Sequence, residues 1–340
     1  MTTPAVLDEL RLLVIIDNQS DILSSVPATI PRSSEVIHLL RHTPEEVVGG
    51  HVVFDKLCYA CHGLSVLLTG RSGSCHHTVL FDTGPDGNLW LDNAAKLGVA
   101  LADIELVFLS HWHFDHSGGL PAVVGAIVEA RSAAGRPAPI LDLHPAWPCQ
   151  RGIRLSSGET MLFPPEPTID ELGQSGADLR LHADVHTPGD GMFYASGLIT
   201  RATTYETGLE GHVSIDATGT VLADPVIADE RFLAAHVRGR GVSVLSACSH
   251  AGIVNTCLGA MDAFPGLPVD LVLGGYHLAG AAMERRIDNT ADDLFRRVNP
   301  RIVAPGHCTG WRAMAKLAGA GFAGYAPSSV GARYRLQEES

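Results

Sequence analysis

The chain has 340 residues, 46% hydrophobic and 18% charged, with 36 Gly and 20 Pro, which excludes a fibrous or disordered protein and fits one elaborated, loop-rich globular domain over 1–340. Lys and Arg total 24 against 37 Asp and Glu, a net charge of −13 without any long basic run, so a small-molecule substrate is expected and a nucleic-acid partner is not. The seven cysteines are odd in number and irregularly spaced, which argues against a disulfide framework.

The first predicted element is an apolar strand at 12–16 (LLVII), preceded by Asp8, Glu9 and Arg11. This run is too short for a signal-peptide core or a membrane span, and the expectation is a cytoplasmic protein without membrane attachment. Next comes KLCYACHGLS, in which Cys58, Cys61 and His62 carry the spacing of a c-type haem attachment site. Covalent haem attachment generally follows export, and no export signal is visible, so the stretch reads as the entry to a strand. An auxiliary metal involving Cys58, Cys61 and Cys75-His76-His77 is the lesser alternative.

Apolar runs of strand length follow at 64–69, 78–81 and 104–110. Between the last two, the spacing of Leu89, Asn93 and Leu97 predicts a helix, and GGLPAVVGAIVEARSAAG predicts another, closed by Gly135. From about 139 to 229 periodicity is weak and Pro and Gly cluster, which predicts an elaborated insertion suited to a substrate lid. Regularity returns with strands at 242–247, 269–274 and 301–304, alternating with helices near 253–263, 281–298 and 311–319. The class is α/β.

The densest chemistry is FLSHWHFDHSGGL, which sets His111, His113, Asp115 and His116 after an apolar strand and before a helix. In an extended or tightly turning segment, 111 and 113 point one way while 115 and 116 curl toward a neighbouring point, so two metals can be held close together. Three imidazoles and a carboxylate suit zinc, with iron or manganese possible if more oxygen ligands join.

This text resembles the HxHxDH signature of the metallo-β-lactamase superfamily, which implies a four-layer αββα sandwich with a mono- or dinuclear metal site at one edge of two sheets. FDTG (81–84) matches as well, and the resemblance gives Asp82 the role of the carboxylate behind the metal-binding loop that fixes imidazole tautomers. In order, SHWHFDHSGGL, CSHAGIVNT, GGYHL and PGHCTG resemble the branch of dihydropterin-ribofuranosylaminobenzene-phosphate synthase-like metal-dependent hydrolases, over roughly 12–309. Asp17-Asn18 and the helix at 93–98 fit that branch, and CHGLS takes the place of an EHGLS-like strand entry, with Cys61 where an acidic residue is usual.

Two histidines compete for the next ligand position, His186 in VHTPGDG and His250 in SACSH. Three C-terminal strands each run into a histidine, at His250, His277 and His307, and neighbouring strand ends converge on one sheet edge, so His250 is preferred. His111, His113 and His250 would then hold one ion, and Asp115, His116 and His307 the other. GGYHL lacks the bridging Asp of many superfamily members; His277 either ligates or acts beside the site as an acid or oxyanion donor. The expected activity is that of a dinuclear hydrolase using a metal-bound hydroxide on an ester, lactone or phosphoester, with Asp115 orienting the nucleophile and His277 or Tyr276 assisting the leaving group. Alternatives are a pterin synthase-like transferase or lyase and a diiron redox enzyme, the latter disfavoured by histidine rather than carboxylate at 113.

Overall fold

Side-chain alternation decides the layers. In strand β1 (Glu9–Ile16), Leu10, Leu12 and Val14 turn to one apolar cluster and Leu13 and Ile15 to another, as expected of a strand buried on both faces. The computed structural model describes residues 4–33, 47–48, 51–52 and 57–338. Strands β2 (Ser65–Ser72), β3 (Cys75–Phe81), β4 (Leu106–Phe108) and β5 (Ile140–Leu143) join β1 in an eight-stranded sheet, ordered Asp178–Leu181, β5, β4, β3, β2, β1, Arg333–Gln337, Arg32–Ser33. The second sheet has seven strands and is built on β6 (Leu233–Val237), β7 (Gly241–Ser246), β8 (Val269–Gly275) and β9 (Ile302–Gly306).

The two sheets face each other across a core in which Leu12, Val66 and Phe81 of the first meet Leu245, Leu273 and Ala304 of the second. Helices cover both outer faces. On the first sheet, α1 (Gly87–Lys96) and α2 (Leu120–Ala133) pack Trp90, Ala94, Val123 and Ile127 against Leu80, Val107 and Leu141. On the second, α3 (Ile253–Ala263) and α4 (Trp311–Ala318) pack Val254, Cys257 and Leu317 against Val244, Val272 and Val303. Each such Leu or Val side chain is worth about 1.5–3 kcal/mol when fully buried, so the layers hold through apolar area on four surfaces. The result is the expected αββα sandwich.

β3, β4 and β5 are mutually parallel, as are β7, β8 and β9, so both sheets send a set of strand carboxyl ends to the site described below. The predicted strand 104–110 is regular only over Leu106–Phe108, because Ser110 is captured by Asp82 through both its N–H (2.7 Å) and its hydroxyl (2.8 Å). The weakly periodic region holds a four-stranded antiparallel sheet of Thr160–Leu162, Gln150–Arg154, His212–Ile215 and Val221–Ala223. No helix among the described residues is long and apolar enough to cross a membrane.

Candidate metal centre

Strand ends supply the site. His111 lies three residues past β4, Cys248 and His250 just past β7, His277 past β8 and His307 directly after β9. Asp82, Ser249, His277 and His307 all have positive φ, between 44° and 61°, a conformation that side-chain-bearing residues adopt only where their surroundings compel it. Gly275 keeps the backbone narrow here, since a Cβ at this position would lie 2.7 Å from Cys308 Sγ.

Hydrogen bonds fix which imidazole nitrogens carry lone pairs. Ser110 Oγ donates to Asp82 and accepts from His111 Nδ1 (2.8 Å), which leaves the lone pair of His111 on Nε2. His212 Nδ1 donates to the Asp224 carbonyl (2.7 Å), so His212 Nε2 accepts from His113 Nε2 (2.9 Å), and the lone pair of His113 is on Nδ1. These two lone pairs meet at 3.0 Å. Such an encounter is repulsive unless a cation lies between the nitrogens, and a tetrahedral zinc ion separates its nitrogen ligands by roughly 3.3 Å. The third member is His250, whose Nδ1 donates to Glu230 Oε1 (2.9 Å) and whose ring centroid is 4.9 Å from that of His111. Burial, reinforced by the neighbouring imidazoles, holds His111 and His113 well below the ordinary histidine range, so both are neutral and their lone pairs are available.

A second set lies beside the first. His116 Nδ1 donates to Asp82 Oδ2 (2.8 Å), turning Nε2 toward Cys248 Sγ at 3.1 Å. The Asn18 amide is oriented by the Gly63 N–H on its oxygen and by His62 Nδ1 on its nitrogen; that oxygen also takes the His307 Nδ1 proton at 3.0 Å. His307 Nε2 therefore faces Asp115 Oδ2 and Cys248 Sγ, each at 3.2 Å. The ligand atoms of Asp115, His116, Cys248 and His307 lie within 4.8 Å of one another, as do those of His111, His113 and His250. Burial works to raise the Asp115 carboxyl, but His116, His307 and His62 together pull it below the usual carboxylate range. Both sets fit divalent metals by donor type and by lone-pair direction.

Residues 58–198 match the family model of the metallo-beta-lactamase superfamily. A 7,8-dihydropterin-6-methyl-4-(beta-D-ribofuranosyl)-aminobenzene-5'-phosphate synthase of Methanocaldococcus jannaschii is 28% identical over 264 residues, which span 76% of this chain and 85% of that protein. The matched segment contains His111, His113, Asp115 and His116, and the chain has the metallo-β-lactamase fold. The protein MJ0448 of the same organism is 28% identical over 263 residues, 77% of this chain and 89% of its own length. Among solved structures, Tm1679, a metal-dependent hydrolase of the beta-lactamase superfamily, superposes with a TM-score of 0.66 at 22% identity, covering 96% of this chain and 98% of that one, which bears on the fold alone.

Within this metallo-β-lactamase fold, the six residues proposed from the sequence as ligands, His111, His113, Asp115, His116, His250 and His307, are gathered in one place, with Asp82 behind two of them. His277 is adjacent: its ring centroid is 4.5 Å from that of His250, and its buried Nδ1 has no hydrogen-bond partner among the described residues. Tyr276 is a correction, because its ring sits in the core between the second sheet and its helices and its hydroxyl donates to the Val272 carbonyl (2.9 Å). His186 lies elsewhere, with Nε2 2.7 Å from Asp142 Oδ2.

Four residues escaped the sequence reading. Cys248 stands two residues before His250 in SACSH without any spacing that marks it as a ligand. Glu230 accepts the N–H groups of His250 and Ala251 (both 2.7 Å) as well as the imidazole, and His250 in turn holds its carboxyl low against the upward pull of burial. His212 arrives from the small antiparallel sheet, pushed down to about 3 by burial and Arg151. Glu166, in the proline-rich segment, contacts Ser117 and is raised to about 7 by burial. Only the alternation of HVSI hinted at His212; Glu230 and Glu166 had no local signal.

Proposed function

We propose that this chain is a dinuclear metal-dependent hydrolase acting on an ester, lactone or phosphoester-type small molecule. The observation that carries this reading is the pair of facing lone pairs of His111 Nε2 and His113 Nδ1, 3.0 Å apart, beside a second set of converging donors. His111, His113 and His250 would hold one ion and Asp115, His116 and His307 the other, with zinc the ion best suited to imidazole-rich sets. When bound, such ions supply Lewis acidity and lower the pKa of water.

The chain's own residues supply orientation and proton handling. Asp82 fixes His116 directly and His111 through Ser110, while Glu230 fixes His250. Asp115 is the ligand side chain with open surface, 22% exposed, which supports the reading that its carboxylate would orient the attacking water. His277, with an unpartnered Nδ1, is the candidate to protonate the leaving group or steady negative charge. A second reading, synthase chemistry on a pterin, is favoured by the 28% identity to the archaeal synthase over 76% of this chain. Incubating metal-loaded protein with panels of lactones, phosphoesters and the pterin with its ribosylaminobenzene phosphate partner separates the two. Hydrolysis lost on chelation is expected, and turnover confined to the pterin pair would replace the hydrolase reading with the synthase one.

A further inference from the structure

We propose that Cys248 is a metal ligand, a thiolate shared between the two ions. This rests on the dinuclear reading above and adds to it a donor that the histidine pattern does not contain. Cys248 Sγ lies 3.1 Å from His116 Nε2 and 3.2 Å from His307 Nε2, and with Asp82 and Asn18 taking the protons on the opposite nitrogens, both Nε2 atoms offer lone pairs in the neutral imidazoles that a metal binds. A thiol has one proton and satisfies at most one of these acceptors, whereas a cation lying among the three atoms satisfies all of them.

The same sulfur belongs to a second group, since its position relative to the ligand atoms of His250 and His277 is also within 4.8 Å. It therefore stands between the His111, His113, His250 set and the Asp115, His116, His307 set. The turn that places it is rigid: Ser249 has φ 61°, and its Oγ lies 2.7 Å from both the Gly275 carbonyl and Ser246 Oγ. Cys308, the neighbouring thiol, also lies against Cys248, His277 and His307, but it belongs to none of the converging ligand groups among the described residues, and its Sγ is 3.5 Å from the Cys248 carbonyl.

Charge is compatible with this placement. Two divalent ions bring four positive charges, and among the described side chains converging on them Asp115 is the sole carboxylate, so a thiolate at 248 would add negative charge at the shared position. A soft sulfur ligand shifts preference away from magnesium and manganese and toward zinc and cobalt.

The test is cobalt substitution. Protein loaded with two Co²⁺ ions should show strong thiolate-to-cobalt absorption in the near ultraviolet. Cys248→Ser should lose this band and bind one of the ions about tenfold or more weakly, whereas Cys308→Ser should keep both band and ions. Two bound ions without the band, persistence of the band in Cys248→Ser, or its loss in Cys308→Ser instead would each overturn the assignment while leaving the dinuclear centre standing. Failure of the wild-type protein to take up any metal would overturn both. Should Cys248→Ser not fold, X-ray absorption on the zinc-loaded wild type decides the matter: a sulfur scatterer at about 2.3 Å supports the proposal, and its absence removes it.

Discussion

Among the described residues, two groups of three or more potential ligands combine histidine with aspartate at close range, and one of them has the construction of a metal site. Besides the centre described above, Asp142, His182 and His186 place their polar atoms within 4.8 Å of one another. There, both imidazoles address the same carboxylate oxygen, His182 Nδ1 at 3.0 Å and His186 Nε2 at 2.7 Å, and their rings stack with centroids 4.0 Å apart. Asp142 Oδ1 accepts from Arg231 Nη1 at 2.9 Å, so the protein supplies the positive charge itself. In the candidate metal centre, by contrast, nitrogen faces nitrogen in the first set, a sulfur and a carboxylate oxygen together face the same imidazole nitrogens in the second, and the N–H groups turn outward to Asp82, Glu230 and Asn18. Proximity of ligand types is therefore a poor criterion; the direction of lone pairs and the nearest fixed charge discriminate better.

The largest effects should come from substitutions that pit the clusters against each other. Removing a ligand costs at least as much as the 10–100-fold typical of the residues behind ligands, so His111→Ala or His113→Ala should lose at least one of two ions and lower turnover by about a hundredfold or more. His250→Ala should likewise lower metal content, and His186→Ala should leave it unchanged. Elemental analysis of protein expressed with supplemented metal decides all four, and a metal-free wild type or a reversal between His250 and His186 would dissolve the contrast. Next in size is Glu230→Gln. An amide nitrogen would then face one of three N–H groups now received by the carboxylate, and the set containing His250 should weaken on the order of tenfold in chelator competition.

How much of this was legible follows from where each residue lies. The sandwich was readable because its strands are short apolar runs separated by helices of clear period, and the ligand density of HWHFDH stands out without any fold. That three C-terminal strands each end in histidine was also visible, and parallel neighbours must present those ends together. Tyr276 was misjudged because adjacent residues at a strand end point to opposite faces: 277 turns to His250 and 276 into the helix-covered core. Glu230, His212 and Glu166 come from the segment of weakest periodicity, where only tertiary structure brings side chains to the centre.

A smaller effect, on stability, attends Glu166. Ser117 Oγ contacts both the His113 carbonyl and Glu166; a hydroxyl has one proton and the carbonyl only accepts, so a protonated carboxyl completes the pair. Burial raises this group to about 7. Below the ordinary carboxylate range, folded and unfolded chains are both protonated and the group contributes nothing. As pH rises from there through about 7, the unfolded chain has released a proton that the folded chain retains, so stability falls, in total by about 3 kcal/mol. Glu166→Gln should remove this share of the decline, seen by denaturing the metal-free proteins below about pH 5 and above about pH 8. Equal slopes for variant and parent would show that Glu166 ionises normally.

The smallest effects belong to the haem-like letters Cys58 to His62. Asn93 pins that backbone, accepting from the Tyr59 N–H (2.9 Å) and donating to the carbonyls of Tyr59 (2.9 Å) and Ile15 (3.0 Å), and Cys58 is buried in the core beside Ile15 and Trp90. Burial, then Asp86 and Asp17, pushes the Cys61 thiol up to about 11, far from a reactive thiolate at neutral pH. Only His62 reaches the centre, 3.4 Å from Asp115 Oδ2, and its other nitrogen is already engaged by Asn18. The close seat is possible because residue 63 is glycine, where a Cβ would lie 2.5 Å from the Asp115 carbonyl oxygen. Cys58→Ser and Cys61→Ser should therefore leave metal stoichiometry unchanged and turnover within a few-fold, while costing roughly 1–3 kcal/mol of stability through lost apolar burial, more at the fully buried Cys58. A haem absorption band in the purified protein, or loss of one ion in Cys61→Ser, would return the motif to the chemistry from which its hydrogen bonds now separate it.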